Sequence, residues 1–197
     1  MRRYVFLSLT VLLASLLLPA CGGNAPKFNG TVLDPPKPVA DFSLTDQNGG
    51  TFRLSEQRDH VVLLFFGYTF CPDVCPTTLG KWARVREALG QEAQDVRFVF
   101  VTVDPQRDTP ERLGQHMAVF NADFIGLTGP DDALEQVYQS FGVYHEKDTS
   151  TESAAGYLVN HTASAFVVDK QGRWRLVHSF DTLADEIVDD IRQLLRD

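Results

Sequence analysis

Cys71 and Cys75 lie four positions apart in "FGYTFCPDVCPTTL" (Phe66–Leu79), and each is followed by a proline. Pro72 biases Cys71 away from helical geometry, whereas Pro76 is tolerated in the first turn of a helix. Cys71 is therefore expected on a loop, and Cys75 at or just before a helix N-terminus. Free backbone N–H groups and the positive dipole end favour a thiolate there and depress the thiol pKa. A purely structural disulfide is a poor account of the pair, because a bridge over so few residues restrains the unfolded chain little. Thiol–disulfide exchange and soft-metal binding both remain open.

Two redox comparisons narrow the choice. Thioredoxin-like enzymes separate their cysteines by two residues, whereas three intervene here, Pro72, Asp73 and Val74. Those enzymes also place a proline before a later strand, where "NHTASAFVVD" offers His161. "VCPTTL" is similar to the surroundings of a peroxiredoxin peroxidatic cysteine. That family needs Thr or Ser three residues before the cysteine and Pro four residues earlier still. For Cys75 those positions hold Pro72 and Tyr68, and for Cys71 they hold Tyr68 and Leu64, so the peroxidase reading fails. His161 precedes an apolar strand, on a loop that an α/β fold would bring beside the cysteines. Two thiolates and one imidazole make a soft donor set suited to Cu(I), and with an added ligand to Cu(II). A structural zinc normally takes a fourth ligand. His60, His116, His145 (in a polar loop) and His178 read as surface or structural residues.

The elements that must position these groups follow from periodicity. "VADFSLTDQNGGTFRL" (39–54) alternates on both sides of Asn48-Gly49-Gly50, a β-hairpin pattern. "HVVLLFFGY" and "VRFVFVTVD" are continuous apolar runs of the kind found in strands buried on both faces. Helical spacing predicts helices over 77–89, from Asp108-Thr109-Pro110 to Phe120, over 131–141 closed by Gly142, and over 182–195. "FIGLTG" suits a short strand, and "ASAFVVDKQGRWRLVHSF" two strands joined around 169–172. The class is α/β: a sandwich with a mixed central sheet flanked by helices, with an N-terminal β-hairpin. The cysteines fall where the first central strand ends, the edge at which open α/β sheets carry their sites.

The chain opens "MRRYVFLSLTVLLASLLLPACGG". Arg2 and Arg3 form a basic n-region, and the apolar stretch after them is too short for a comfortable membrane span. Leu18-Pro19-Ala20-Cys21 resembles a bacterial lipobox, which predicts a signal peptide over 1–20 and a lipidated Cys21. Ordinary cleavage near Ala20 would instead leave Cys21 an exposed free thiol, a liability in an exported protein. Residues 21–38, rich in Gly, Asn and Pro, read as a flexible tether, and 39–197 as one domain. Removing residues 1–20 from the 197 takes the net charge from −8 to −10. An acidic surface argues against nucleic acid or an anionic membrane surface as the partner.

Three blocks, "GYTFCPDVCPTTL", "VTVDPQRDTPERL" and "YLVNHTASAFVVD", resemble the signature blocks of the Sco/SenC family in order, and the 86 residues from Cys75 to His161 are about the family's interval. The resemblance runs from about Val39 to the C-terminus. It implies a thioredoxin-like, membrane-tethered copper protein with Cys71, Cys75 and His161 as copper ligands. It also implies a partner, the CuA-bearing subunit of cytochrome c oxidase, to which such a protein delivers copper, or whose cysteines it reduces. Another copper chaperone or a thiol reductant could also be a partner. The location implied is extracytoplasmic, on the periplasmic side of the cell membrane. The alternative is a thiol–disulfide oxidoreductase using Cys71 and Cys75, with no necessary role for His161. Asn160 stands where the family frequently has Asp. "DPQRDTPERL" reads as a solvated loop with a helix cap. Its functional alternative is that Asp108 orients His161 as an outer-shell carboxylate.

Overall fold

The computed structural model describes residues 27–153 and 156–197. Lipidation at Cys21 and signal cleavage therefore lie outside the described residues. The strands are β1 (Thr31–Pro38), β2 (Ser43–Asp46), β3 (Thr51–Arg53), β4 (Val61–Gly67), β5 (Val96–Thr102), β6 (Ile125–Thr128), β7 (His145–Ser153), β8 (Gly156–His161), β9 (Ala165–Val168) and β10 (Arg173–His178). The α-helices are α1 (Val74–Leu89), α2 (Pro110–Phe120), α3 (Asp131–Phe141) and α4 (Ala184–Arg196).

Eight strands form one sheet in the order β1-β10-β9-β4-β5-β6-β2-β3, and β7 pairs with β8 apart from it. β4, β5 and β6 run parallel, linked by crossovers through α1 and α2, while the flanking pairs are antiparallel. The β2–β3 pair is the hairpin expected around Asn48-Gly49. Every residue of β4 is buried, as its unbroken apolar run requires of a central parallel strand. Its side chains alternate between faces. Phe65 meets Trp82 of α1 and Phe100 of β5, while Phe66 meets Tyr138 and Phe141 of α3. Helices thus cover both sides of the sheet, and α1 and α4 pack together.

Three expectations need correction. The expected tether does not reach Pro38, because β1 pairs with β10 from Thr31 onward. Prolines 35, 36 and 38 disguise it as a linker, yet an edge strand tolerates residues that cannot donate to a ladder. His145 lies on β7 rather than in a loop, directly opposite His161. β7 is polar because its hairpin stands outside the sheet and buries no continuous face. Finally, α1 begins at Val74, three residues early, so Cys75 lies inside its first turn.

The N-terminal segment is fastened by one buried carboxylate. Asp190 of α4 accepts from the backbone N–H groups of Asn29 and Gly30, each at 2.8 Å, and faces His178 Nε2 at 2.8 Å. Gly30 passes so close to His178 that a Cβ there would lie 2.6 Å from the imidazole. Burial raises the Asp190 pKa, but the bonds from His178, Asn29 and Gly30 outweigh it and hold the carboxyl below its usual 3.8. A group depressed on folding stabilises above its unfolded value and loses that contribution as the pH falls through the folded one. Asp190→Ala should destabilise the domain by about 3 kcal/mol, as for breaking a buried charged pair, measured by urea unfolding. Asp190→Asn should lack the part of the acid-induced stability loss that begins near 3.8 in the parent.

Candidate metal centre

Cys71 sits on the loop between β4 and α1, Cys75 in the first turn of α1, and His161 at the end of β8. One donor atom from each lies within 4.8 Å of the others, and they are the metal-competent group of three found among the described residues. Cys75 Sγ is 3.5 Å from His161 Nε2, and the Cys75 backbone N–H points at Cys71 Sγ at 3.5 Å. The imidazole Nδ1 lies 3.1 Å from the Thr162 carbonyl, which can only accept. Nδ1 therefore carries the proton in the neutral ring, and the Nε2 lone pair faces the sulfurs. The ring is held edge-on by Phe65 and Tyr68, each with its centroid 5.9 Å away. The Tyr68 hydroxyl also accepts from the Val159 N–H at 3.2 Å, so a residue next to the cysteine loop fixes the strand that carries the histidine.

The two sulfurs are not equivalent. Cys71 is part exposed and Cys75 is fully buried. A hydrogen bond from Cys75 is the largest influence on Cys71 and, with the backbone amides of Asp73 and Cys75, outweighs desolvation and pulls its pKa down to about 4. Burial pushes the Cys75 thiol well above its ordinary value, and donation to Cys71 and its charge push it further. The expectation of a helix-stabilised thiolate at Cys75 is thus corrected. The negative charge goes to the sulfur that water and the amides can reach, and one buried proton is shared against it.

The loop after β5 supports both halves of the site from below. Asp104 and Asp108 are fully buried, so the reading of "DPQRDT" as a solvated loop is overturned. The helix cap is real, but it is Thr109, which accepts from the Arg112 N–H. Asp108 accepts from the Thr69 N–H at 3.1 Å, the Thr69 hydroxyl at 2.7 Å and the Thr102 hydroxyl at 2.7 Å. Its carboxylate thus binds Thr69 of the cysteine loop and Thr102 of β5, whereas the His161 Nδ1 faces Thr162. Burial raises the Asp108 pKa against these three bonds. Asp104 accepts from the Tyr157 hydroxyl at 2.7 Å and pairs with Arg107. Arg107 also donates to the Tyr157 carbonyl at 3.0 Å and stacks on the rings of Tyr157 and Phe70.

Sequence reasoning missed Gly67. A Cβ there would lie 2.6 Å from Cys75 Sγ and 2.9 Å from Phe100, so glycine makes room for the sulfur. A glycine closing an apolar strand was the available signal, since such residues mark close approach. Tyr68, Thr69 and Tyr157 left no comparable trace. Among the other histidines, His178 is buried against Asp190 and His60 faces Arg97. His145 lies 3.4 Å from Glu135, and His116 lies against Phe100 and Phe120.

In the reduced protein, iodoacetamide should alkylate Cys71 far faster than Cys75. The pH profile should have its midpoint near 4 rather than in the ordinary thiol range. Peptide mapping of the modified protein checks both, and preferential labelling of Cys75 would contradict the assignment.

The whole domain matches known proteins. The SCO1/SenC family model covers residues 32–196. A SCO2-like protein of Rickettsia prowazekii is 38% identical over 148 residues, which are 75% of this chain and 72% of the relative. The solution structure of apo Sco1 from Thermus thermophilus superposes with a TM-score of 0.76 at 44% identity, covering 87% of this chain and 99% of that one. The Bradyrhizobium japonicum ScoI structure, which has copper bound, gives 0.73 at 33% identity over 80% and 99% of the two chains. These structures share the thioredoxin-like α/β arrangement described above. With Cys71, Cys75, His161 and nearly the whole described domain inside the match, the chain belongs to the SCO1/SenC family.

Proposed function

We propose that this protein binds copper as cargo through Cys71, Cys75 and His161 and acts in the assembly of cytochrome c oxidase. The observation that carries the reading is the convergence of two sulfurs and an imidazole nitrogen within 4.8 Å. Their softness and their number suit Cu(I) better than a four-coordinate structural zinc. The copper-bound relative from Bradyrhizobium japonicum supports the same assignment. The neutral tautomer of His161 offers its Nε2 lone pair, and metal entry displaces the proton of Cys75. Part-exposed Cys71 is the ligand that an acceptor thiolate reaches first, and buried Cys75 is released last. The acceptor in this reading is the CuA-bearing subunit.

A second activity of the same pair is favoured by the asymmetry of the sulfurs. The Cys71 thiolate attacks one sulfur of a partner disulfide and forms a mixed disulfide, while the partner's other sulfur leaves as a thiolate. Cys75 then gives up its proton and attacks Cys71 Sγ, which expels the partner's second thiolate. The partner leaves reduced by two electrons, and Cys71–Cys75 becomes a disulfide. Such a step would prepare the cysteines of a CuA site to receive copper, so the two activities are compatible.

The protein would act outside the cytoplasm, on the periplasmic face of the cell membrane. In this proposal the signal peptide over 1–20 is removed and a lipid on Cys21 retains the chain. Among the described residues no helix is long and apolar enough to cross a membrane.

An anaerobic Cu(I) competition titration of the reduced mature chain should show tight one-to-one binding. His161→Ala should weaken it by more than the roughly 10–100-fold typical of losing a supporting residue. Gly67→Ala keeps every ligand but crowds Cys75 Sγ, and should weaken copper within that range while Cys71 stays alkylatable. Affinity indifferent to His161 would remove the copper reading and leave the dithiol exchange.

A further inference from the structure

The topology sets where the chain joins the domain relative to the site. β4 ends at Gly67, just before Cys71. Antiparallel β9 begins opposite that end, with Ala165 facing Phe65, and His161, the last residue of β8, lies just before it in the chain. In β10, His178 faces Ala165, and in β1, Thr31 faces Val177. The chain therefore joins the sheet at the same end that carries Cys71, Cys75 and His161, three strands across from β4. At the usual strand spacing this is about 14 Å. The opposite end carries Asp59, Asp95, Lys170 and Gln171.

The reach of the anchor is short. Among the described residues the first fastened to the domain body is Phe28, which packs against the core and under Arg175, followed by Asn29, through Asp190. Cys21 lies seven residues before Phe28, a span of at most about 25 Å when fully extended. A domain of this size has a diameter of about 39 Å. A lipid on Cys21 therefore cannot pass around the domain to bring its far end onto the bilayer.

The surface agrees with that bound. Among the described residues the exposed large hydrophobic side chains are Val32, Val119, Tyr144 and Leu183. Tyr144 exchanges hydrogen bonds with Thr162, the residue after His161. Leu183, 64% exposed, follows Thr182, whose carbonyl accepts from Lys81 of α1. Val32 is the second residue of β1. Three of the four thus lie at the site end, with Val119 toward the far end of α2. Isolated aromatic and aliphatic side chains of this kind suit the headgroup boundary. Asp181 and Asp185 beside Leu183 make an uncharged, zwitterionic surface the better match.

We propose that the end of the sheet carrying Cys71, Cys75 and His161 is held toward a zwitterionic bilayer surface, with Tyr144, Leu183 and Val32 nearest the headgroups. This rests on the lipid-anchor reading of Cys21. The site then exchanges copper or electrons with thiols presented in the thin layer next to the same membrane. Thiols approaching from the bulk meet the opposite end of the domain.

The test uses the full mature chain, isolated from membranes, with acylation of Cys21 verified by intact mass. It is bound to phosphatidylcholine vesicles containing a gadolinium-chelating lipid, and amide signals are followed by NMR. Amides of Cys71, Tyr144, Thr162 and Leu183 should lose most of their intensity, while those of Asp59, Asp95 and Gln171 keep theirs. Inserting a long flexible spacer between Cys21 and Lys27 should erase the difference. Uniform or reversed broadening in the acylated chain overturns the orientation and leaves the anchor and copper readings standing. Asymmetry that survives the spacer overturns the tether as its cause. A chain without acyl on Cys21 overturns both anchor and orientation, while the copper titration stands apart from either result.

Discussion

Two carboxylates buried beneath the cysteine loop tie three distant parts of the chain into one site. Asp108 holds Thr69, two residues before Cys71, against Thr102 at the end of β5. Asp104, four residues earlier, holds Tyr157 at the start of the strand that ends in His161. A buried carboxylate with missing donors is costly, so the arrangement is stable only when all its partners are in place. The loop from 102 to 109 therefore acts as a gauge. The cysteine loop and the β7–β8 hairpin each dock on it, and their separation from one another is set by it. Arg107 completes the gauge by covering Asp104 and stacking between Tyr157 and Phe70. Phe70 is itself the neighbour of Cys71, so the same guanidinium braces both sides of the mouth.

This framework separates the two cysteines chemically although they are neighbours. Helix α1 begins early enough to carry Cys75 inward, under Gly67 and against the imidazole, while Cys71 stays at the rim. One charge can be accommodated by the nearby amides and by water at the rim. A second charge in the interior would meet the first at close range and the Asp108 carboxylate behind it. The apo site thus resists carrying both thiolates until a cation compensates them. The fold stores that tension in a single proton on Cys75.

Much of this was legible in the sequence, for identifiable reasons. Strands β4 and β5 are so apolar that no other assignment fits, and Gly142 and Thr109-Pro110 punctuate their helices as rules for caps require. Cys71, Cys75 and His161 stood out because few side chains share their chemistry. What stayed hidden depends on contacts that have no local pattern. Asp104 and Asp108 look like loop carboxylates until Thr69, Thr102 and Tyr157 are brought to them from up to 53 residues away. The polar β7–β8 hairpin has no buried face to impose a period of two. β1 was masked by its prolines, which are informative only once β10 is known to lack another partner.

Those prolines have a consequence for copies of the domain meeting one another. An eight-stranded sheet with open edges offers main-chain donors and acceptors to any neighbouring sheet. Here one margin is β1, where three prolines remove donors and the ladder slips between Val32 and Lys37. The other is β3, only three residues long. Neither margin can template a long ladder, so crowding the domains together should not zip their sheets into a continuous one. A protein that must keep its reactive thiols free for a chosen partner is thereby protected from its own kind.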